Sequence, residues 1–159
     1  KSGETRQRNA VVDGQTIFAS QRTKDILAQW NELRDGRAAP RRGDVDPLDL
    51  FDFLPYLAMI KITEEGGDFQ FSLIGTGLAK IYGLVTRQFV SRADFPVSAK
   101  EALLEGLQLC VAEHAPVLGM WEQISTVNGV KIDLEVVLLP ISENGSDVSR
   151  VLGYHAITR

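Results

Sequence analysis

The chain predicts an α+β domain: a five-stranded antiparallel sheet, split two and three, with helices on one face and an amphipathic helix at the amino-terminal side. Three observations carry this. Tyr56–Thr63 and Phe69–Leu73 are short β-type runs joined by a glycine turn. Val130–Pro140 alternates cleanly after Asn128-Gly129, the preferred two-residue hairpin turn. Between these blocks lie helical segments and no strand pattern.

A chain of 159 residues, 44% hydrophobic and 24% charged, is long enough to bury one good core. Three divisions are expected: a flexible tail over 1–19, a helix and linker over 20–43, and the main domain over 44–159. A net charge of -4 argues against nucleic acid, which needs clustered cations, and against an anionic membrane. The lone Cys110 cannot form an internal disulfide, which suits a reducing compartment. The first residues, KSGETRQRNAVVDGQ, contain no apolar stretch of the secretory kind. No apolar run approaches the roughly 20 residues of a membrane helix. The expected location is the cytoplasm.

Ser20 opens a helix with Ile26, Trp30 and Leu33 at spacings of four and three, and Gly36 follows as a stop. Its narrow apolar face must lie on the sheet, on a second copy of the chain, or on both, so these three residues are candidates for a homodimer interface. The linker Gly36–Gly43 carries Arg37, Arg41 and Arg42 and reads as a solvated connection. Asp46-Pro47 is an N-cap followed by a proline at the first helical position. The short helix it opens should turn Leu48, Phe51 and Leu54 inward and end at Pro55. Asp44, Asp46, Asp49 and Asp52 do not form a calcium loop, because its sixth and twelfth positions hold Asp49 and Pro55.

The strand over Tyr56–Thr63 is apolar on both faces and should be central. The turn Glu65-Gly66-Gly67-Asp68 leads to Phe69, Phe71 and Leu73, expected on one face. Gly75-Thr76-Gly77 lacks the third glycine of a dinucleotide loop, where Lys80 stands, so these glycines serve a sharp exit from the sheet. Leu78, Ile81 and Tyr82 then pack inward. Residues 84–97 are irregular, anchored by Phe89, Val90 and Phe95. Ser98 and Glu101 form a capping-box pattern for a helix that buries Ala99, Leu103, Leu107 and Cys110 and ends near His114. On that face Cys110 reads as a core thiol. Three strands close the chain: Val117–Val127, Val130–Pro140 and Val151–Thr158.

This order, with Trp30, Leu33-Arg34, Gly36-Arg37, Pro40, Arg42, Asp44, Asp46-Pro47, Leu54-Pro55, Leu73-Ile74-Gly75-Thr76 and Tyr82-Gly83, resembles a PAS-like family of short proteins common in alphaproteobacteria. The resemblance covers roughly residues 25–158 and implies a sensory or regulatory fold, not an enzyme. Residues 84–97 depart from the family's usual acidic, glycine-containing continuation. No flavin-photosensor cysteine motif and no haem-ligating histidine is matched, so the cofactor stays unknown and no cofactor residue is carried over.

The expected function is a sensor module that binds a small organic ligand or a protein partner and passes the signal to a separate effector protein. A cavity between sheet and helical middle would be lined by Phe53, Tyr56, Phe71, Tyr82, Trp121 and His155. Two alternatives stand beside it. One is a small isomerase using Asp133 or Glu135 as a buried base. The other is a cyclic-dinucleotide or nucleotide-messenger receptor using Arg37, Arg41 and Arg42.

Overall fold

The structure, a computed structural model, describes residues 7–63, 67–144 and 147–159. Glu65 and Gly66 of the expected turn Glu65-Gly66-Gly67-Asp68, with Glu64 before it, and Gly145 and Ser146 lie outside that set. Six strands, β1 (Gln7–Val11), β2 (Leu57–Ile62), β3 (Phe69–Ile74), β4 (Val117–Ser125), β5 (Lys131–Ser142) and β6 (Val148–Ile157), form one antiparallel sheet in the order β1-β4-β5-β6-β2-β3. The two-plus-three plan is therefore correct, and β2, apolar on both faces, is flanked by β6 and β3.

The sixth strand corrects the expected flexible tail. β1 pairs with the edge of β4, Asn9 opposite Gly119. Its inward residue is polar, so hydrophobic alternation did not reveal it. Asn9 earns its place through hydrogen bonds: its amide nitrogen donates to Ala102 O (3.1 Å) and Glu105 Oε1 (2.9 Å), and its oxygen accepts from Trp121 Nε1 (3.0 Å).

Helices cover both faces of the sheet, not one. On the inner face lie α2 (Thr76–Tyr82) and α3 (Val97–Glu113), over Ile60, Phe71, Trp121, Leu134, Val136 and Leu138. On the outer face α1 (Gln21–Arg34) and a 3-10 helix (Pro47–Tyr56) cover Leu57, Val137, Leu139, Ile141, Leu152 and Tyr154. β5 and β6 serve both layers through strict alternation, which is why both their faces are apolar.

The segment after Asp46 is a 3-10 helix, with three residues per turn. That period puts Leu50 and Phe53 inward and leaves Leu48 (79% exposed) and Phe51 (67% exposed) outside, opposite to the α-helical expectation. Asp46 caps its start by accepting from Leu48 N (2.9 Å), and the helix runs through Pro55 to Tyr56. Its end explains the glycines of α2. A Cβ at Gly75 would overlap the Leu54 and Pro55 carbonyls, and one at Gly77 would overlap the Tyr56 ring. Close approach, more than chain direction, is what these glycines supply.

Two bulges set which side chains face the core. In β3, Phe71 faces Ile60 and Leu73 faces Met59, leaving Ser72 as the extra residue, its hydroxyl donating to Met59 O (3.0 Å). Leu73 therefore leaves the Phe69–Phe71 face and is 41% exposed. In β4 a second bulge at Gln123 keeps Trp121 and Ile124, three positions apart, both in the core; Asp133 Oδ1 accepts the Gln123 N–H (2.9 Å). α3 starts at Val97 with Pro96 at the N-cap and no side-chain cap, so the Ser98–Glu101 capping box does not open it. The Pro96 carbonyl takes the Lys100 N–H (3.0 Å) instead. The helix ends at His114, whose left-handed φ of 52° stops it.

Candidate functional site

On the inner face α2 and β6 bring Tyr82 and His155 together, with Tyr82 Oη 2.6 Å from His155 Nε2. Both are buried. Around this pair stand Trp121 (6.0 Å, ring centre to ring centre, from His155), Phe95 (5.0 Å from Tyr82) and Phe71 (6.1 Å from Tyr82). Tyr82 and His155 meet edge to face at 5.2 Å, an arrangement aromatic quadrupoles favour.

Burial fixes the protonation of the pair. It lowers His155 to about 4, partly offset by hydrogen bonds to the Gly153 and Tyr56 backbone, and it raises Tyr82 far above its ordinary value. Both rings are neutral at pH 7. The geometry then assigns the protons: Tyr82 donates to Nε2, and Nδ1–H donates to the Gly153 carbonyl at 3.2 Å. The pair is a satisfied polar centre in an apolar shell.

Of the six residues expected to line a cavity, the structure gathers Phe71, Tyr82, Trp121 and His155 here. Phe53 lies on the other face of the sheet, edge-on to Tyr154 at 5.5 Å. Tyr56 is half-buried between the two layers, packed against both. Phe95 joins the cluster although the sequence placed it only as an anchor in an irregular stretch. A cleft of about 280 Å³ between the start of α1 and the end of β6, lined by Ser20, Arg22, Tyr56, Tyr154 and Ile157, has His155 in its wall.

The acids proposed as bases are engaged elsewhere. Glu135 is buried, but on the outer face, away from the inner cluster. Its oxygens accept the Ala19 N–H (2.6 Å) and the Ser20 N–H (2.9 Å), fixing the start of α1. Asp133 serves the β4 bulge. Cys110 lies in the α3 core 3.8 Å from Leu138 O, and burial pushes its thiol up to about 12. Among the described residues no group of His, Cys, Asp and Glu side chains is arranged to hold a metal ion, and no helix is long and apolar enough to cross a membrane. Ile26 and Trp30, expected at a dimer interface, are buried against the sheet within the single chain, and Trp30 Nε1 donates to Pro140 O (2.8 Å). Leu33 is half-buried.

The chain matches a family model, described as a PAS domain, over residues 18–156. The chain belongs to the PAS domain family. The match includes α1, which is thus part of the PAS unit as matched. An RNA-binding light-oxygen-voltage receptor shares the fold at a TM-score of 0.51 and 12% identity, over 97% of this chain and 39% of that one. The PAS chain thus spans about two fifths of that receptor's length. A fungal LOV-domain photoreceptor aligns at a TM-score of 0.46 and 12% identity, over 73% of this chain and 94% of that one. The PAS domain of an HTR-like protein from Haloarcula marismortui aligns at 0.40 and 18% identity, over 86% and 98%. No curated protein matches the chain in sequence.

Proposed function

We propose that this PAS domain is a non-enzymatic cytoplasmic sensor that takes up a small organic molecule at the Tyr82–His155 centre and reports its presence through α1 to a separate protein or a second copy of the chain. One observation carries the reading. β6 places His155 against Tyr82 and Trp121 in the inner cluster, while its neighbours Tyr154 and Ala156 lie in the outer layer beneath α1 and the 3-10 helix.

 Tyr154 and Ala156, on either side of His155, are both buried there, and Tyr154 meets the Phe53 ring. A ligand that takes a hydrogen bond from the Tyr82–His155 pair must shift His155 and, through one strand, the seat of α1. The ligand then selects one placement of α1 over another, a population shift between two packings. The sensory character of the family and the cleft beside His155 support the same reading.

The test is native mass spectrometry of freshly purified protein, compared with the same sample after denaturation. The expected result is a small organic molecule that leaves on unfolding and whose retention is reduced in Tyr82→Phe. A bare-chain mass in every preparation, from cells grown in different media, would overturn the small-ligand reading.

A further inference from the structure

The arginines of the Gly36–Gly43 linker do not act together. Arg37 is spent locally, on the Asp44 carboxylate and on Leu33 O (3.1 Å). Arg42 is exposed, and among the described residues its guanidinium has no hydrogen bond or ion pair. The linker itself is seated. Ser142 N–H donates to Pro40 O (2.9 Å), and Arg41 forms a parallel bridge with Ser142 at the end of β5.

That seat lies beside a second cationic feature. Ile141 of β5 pairs with Arg150 of β6, and Arg150 pairs in turn with Lys61 of β2. Directly opposed residues of neighbouring strands project to the same face, so two like charges stand side by side on the outer face, an arrangement that costs stability. Arg150 is not free to splay away: its side chain is 14% exposed. Its Nε is buried with no hydrogen-bond partner, and its ion pair with Glu143 Oε2 is long, at 4.0 Å. Burial and then the positive charge of Arg42 pull the Arg150 pKa down, which puts the two guanidiniums within each other's field. One long ion pair to a half-exposed carboxylate leaves Arg150, Arg42 and Lys61 with positive charge in excess and the Arg150 Nε–H without an acceptor, which a further anion would supply.

We propose that Arg42, Lys61 and Arg150 form a receptor site for a small multivalent oxyanion of the phosphate class, which bridges the linker after α1 to the outer face of the sheet. Guanidinium groups bind such oxygens with paired, charge-assisted hydrogen bonds, and the orphan Nε of Arg150 supplies one of the donors. The site is separate from the Tyr82–His155 centre and does not rest on the ligand proposed there. It would hold the exit of α1 against β5 and β6.

Isothermal titration calorimetry of the full chain with pyrophosphate at low ionic strength tests it. The expected result is one-site binding that weakens with added sodium chloride. Arg42→Gln and Arg150→Gln should each weaken it about tenfold or more, while Arg159→Gln leaves it unchanged. Arg42 is exposed, so Arg42→Gln keeps the fold, which an unchanged melt without ligand verifies. Malonate should bind about tenfold more weakly than pyrophosphate. No binding of pyrophosphate, equal binding by Arg42→Gln, or equal affinity for malonate would overturn the proposal.

Discussion

A hydrogen bond between two buried, neutral rings governs the chemistry of the inner face. Tyr82 and His155 are each the other's partner at 2.6 Å, and Phe71, Phe95 and Trp121 surround them. Removing the Tyr82 hydroxyl leaves Nε2 of His155 unpaired in an apolar shell, and Tyr82→Phe should cost about 1–3 kcal/mol in urea unfolding at pH 7.5. The pair also makes stability depend on pH. His155 has a folded pKa of about 4 against an ordinary 6.5, so between those values the unfolded chain binds the proton that the folded chain excludes. Its contribution is full above pH 6.5 and is lost as pH falls towards 4. From pH 7.5 to pH 5 this amounts to about 2 kcal/mol. His155→Asn, which keeps a donor for the Gly153 carbonyl, should show a fall in stability smaller by that amount. An unaltered fall would mean that His155 titrates normally in the folded chain.

At the scale of elements, α1 is held by its start as well as by its apolar face. The paired amides of Ala19 and Ser20 bind the Glu135 carboxylate, and Ser20 caps Thr23 N. A carboxylate there also faces the positive end of the helix. Glu135→Gln removes the charge and one acceptor, so hydrogen exchange of residues 19–24 should quicken by about tenfold or more while exchange around Trp30 changes little. Equal acceleration along the whole of α1 would show that Glu135 does not act at the first turn. The same residue shows where sequence reading stops. Lys131, Asp133 and Glu135 share one parity, and Lys131 is exposed, so nothing local distinguishes Glu135 from its neighbours. Only the loop before α1, folded over the far end of β5, turns it into a buried acceptor. β1 was hidden for the opposite reason, since its inward Asn9 is polar and its partners come from α3 and β4. By contrast β5 and β6 were legible because both of their faces are buried and their alternation is uninterrupted. Four of the six expected cavity residues come together for that reason: Tyr82, Phe71, Trp121 and His155 each follow the parity or helical period read from the chain. Phe53 does not, because the 3-10 helix that carries it packs on the outer face of the sheet.

For the whole molecule, the consequential feature is one sheet shared by two layers. α1 buries Ile26 and Trp30 over Val137, Leu139, Ile141, Leu152, Tyr154 and Ala156, while the other faces of β5 and β6 complete the inner core. Re-exposing a large apolar side chain costs about 1.5–3 kcal/mol, and several would be exposed at once if α1 left the sheet. A domain of this size holds only about 5–15 kcal/mol in total. The outer layer therefore has no stable existence apart from the inner one, and any signal through α1 is a shift on its seat, not its release. The two tryptophans report on this directly, because Trp30 lies in the outer layer and Trp121 in the inner one. Trp30→Phe leaves Trp121 as the reporter, and Trp121→Phe leaves Trp30. In each variant the urea transition seen by fluorescence should coincide with that seen by far-ultraviolet circular dichroism, as for a two-state domain. A Trp30 transition complete before the circular dichroism changes would show an outer layer that melts alone, and α1 would then act as a detachable arm.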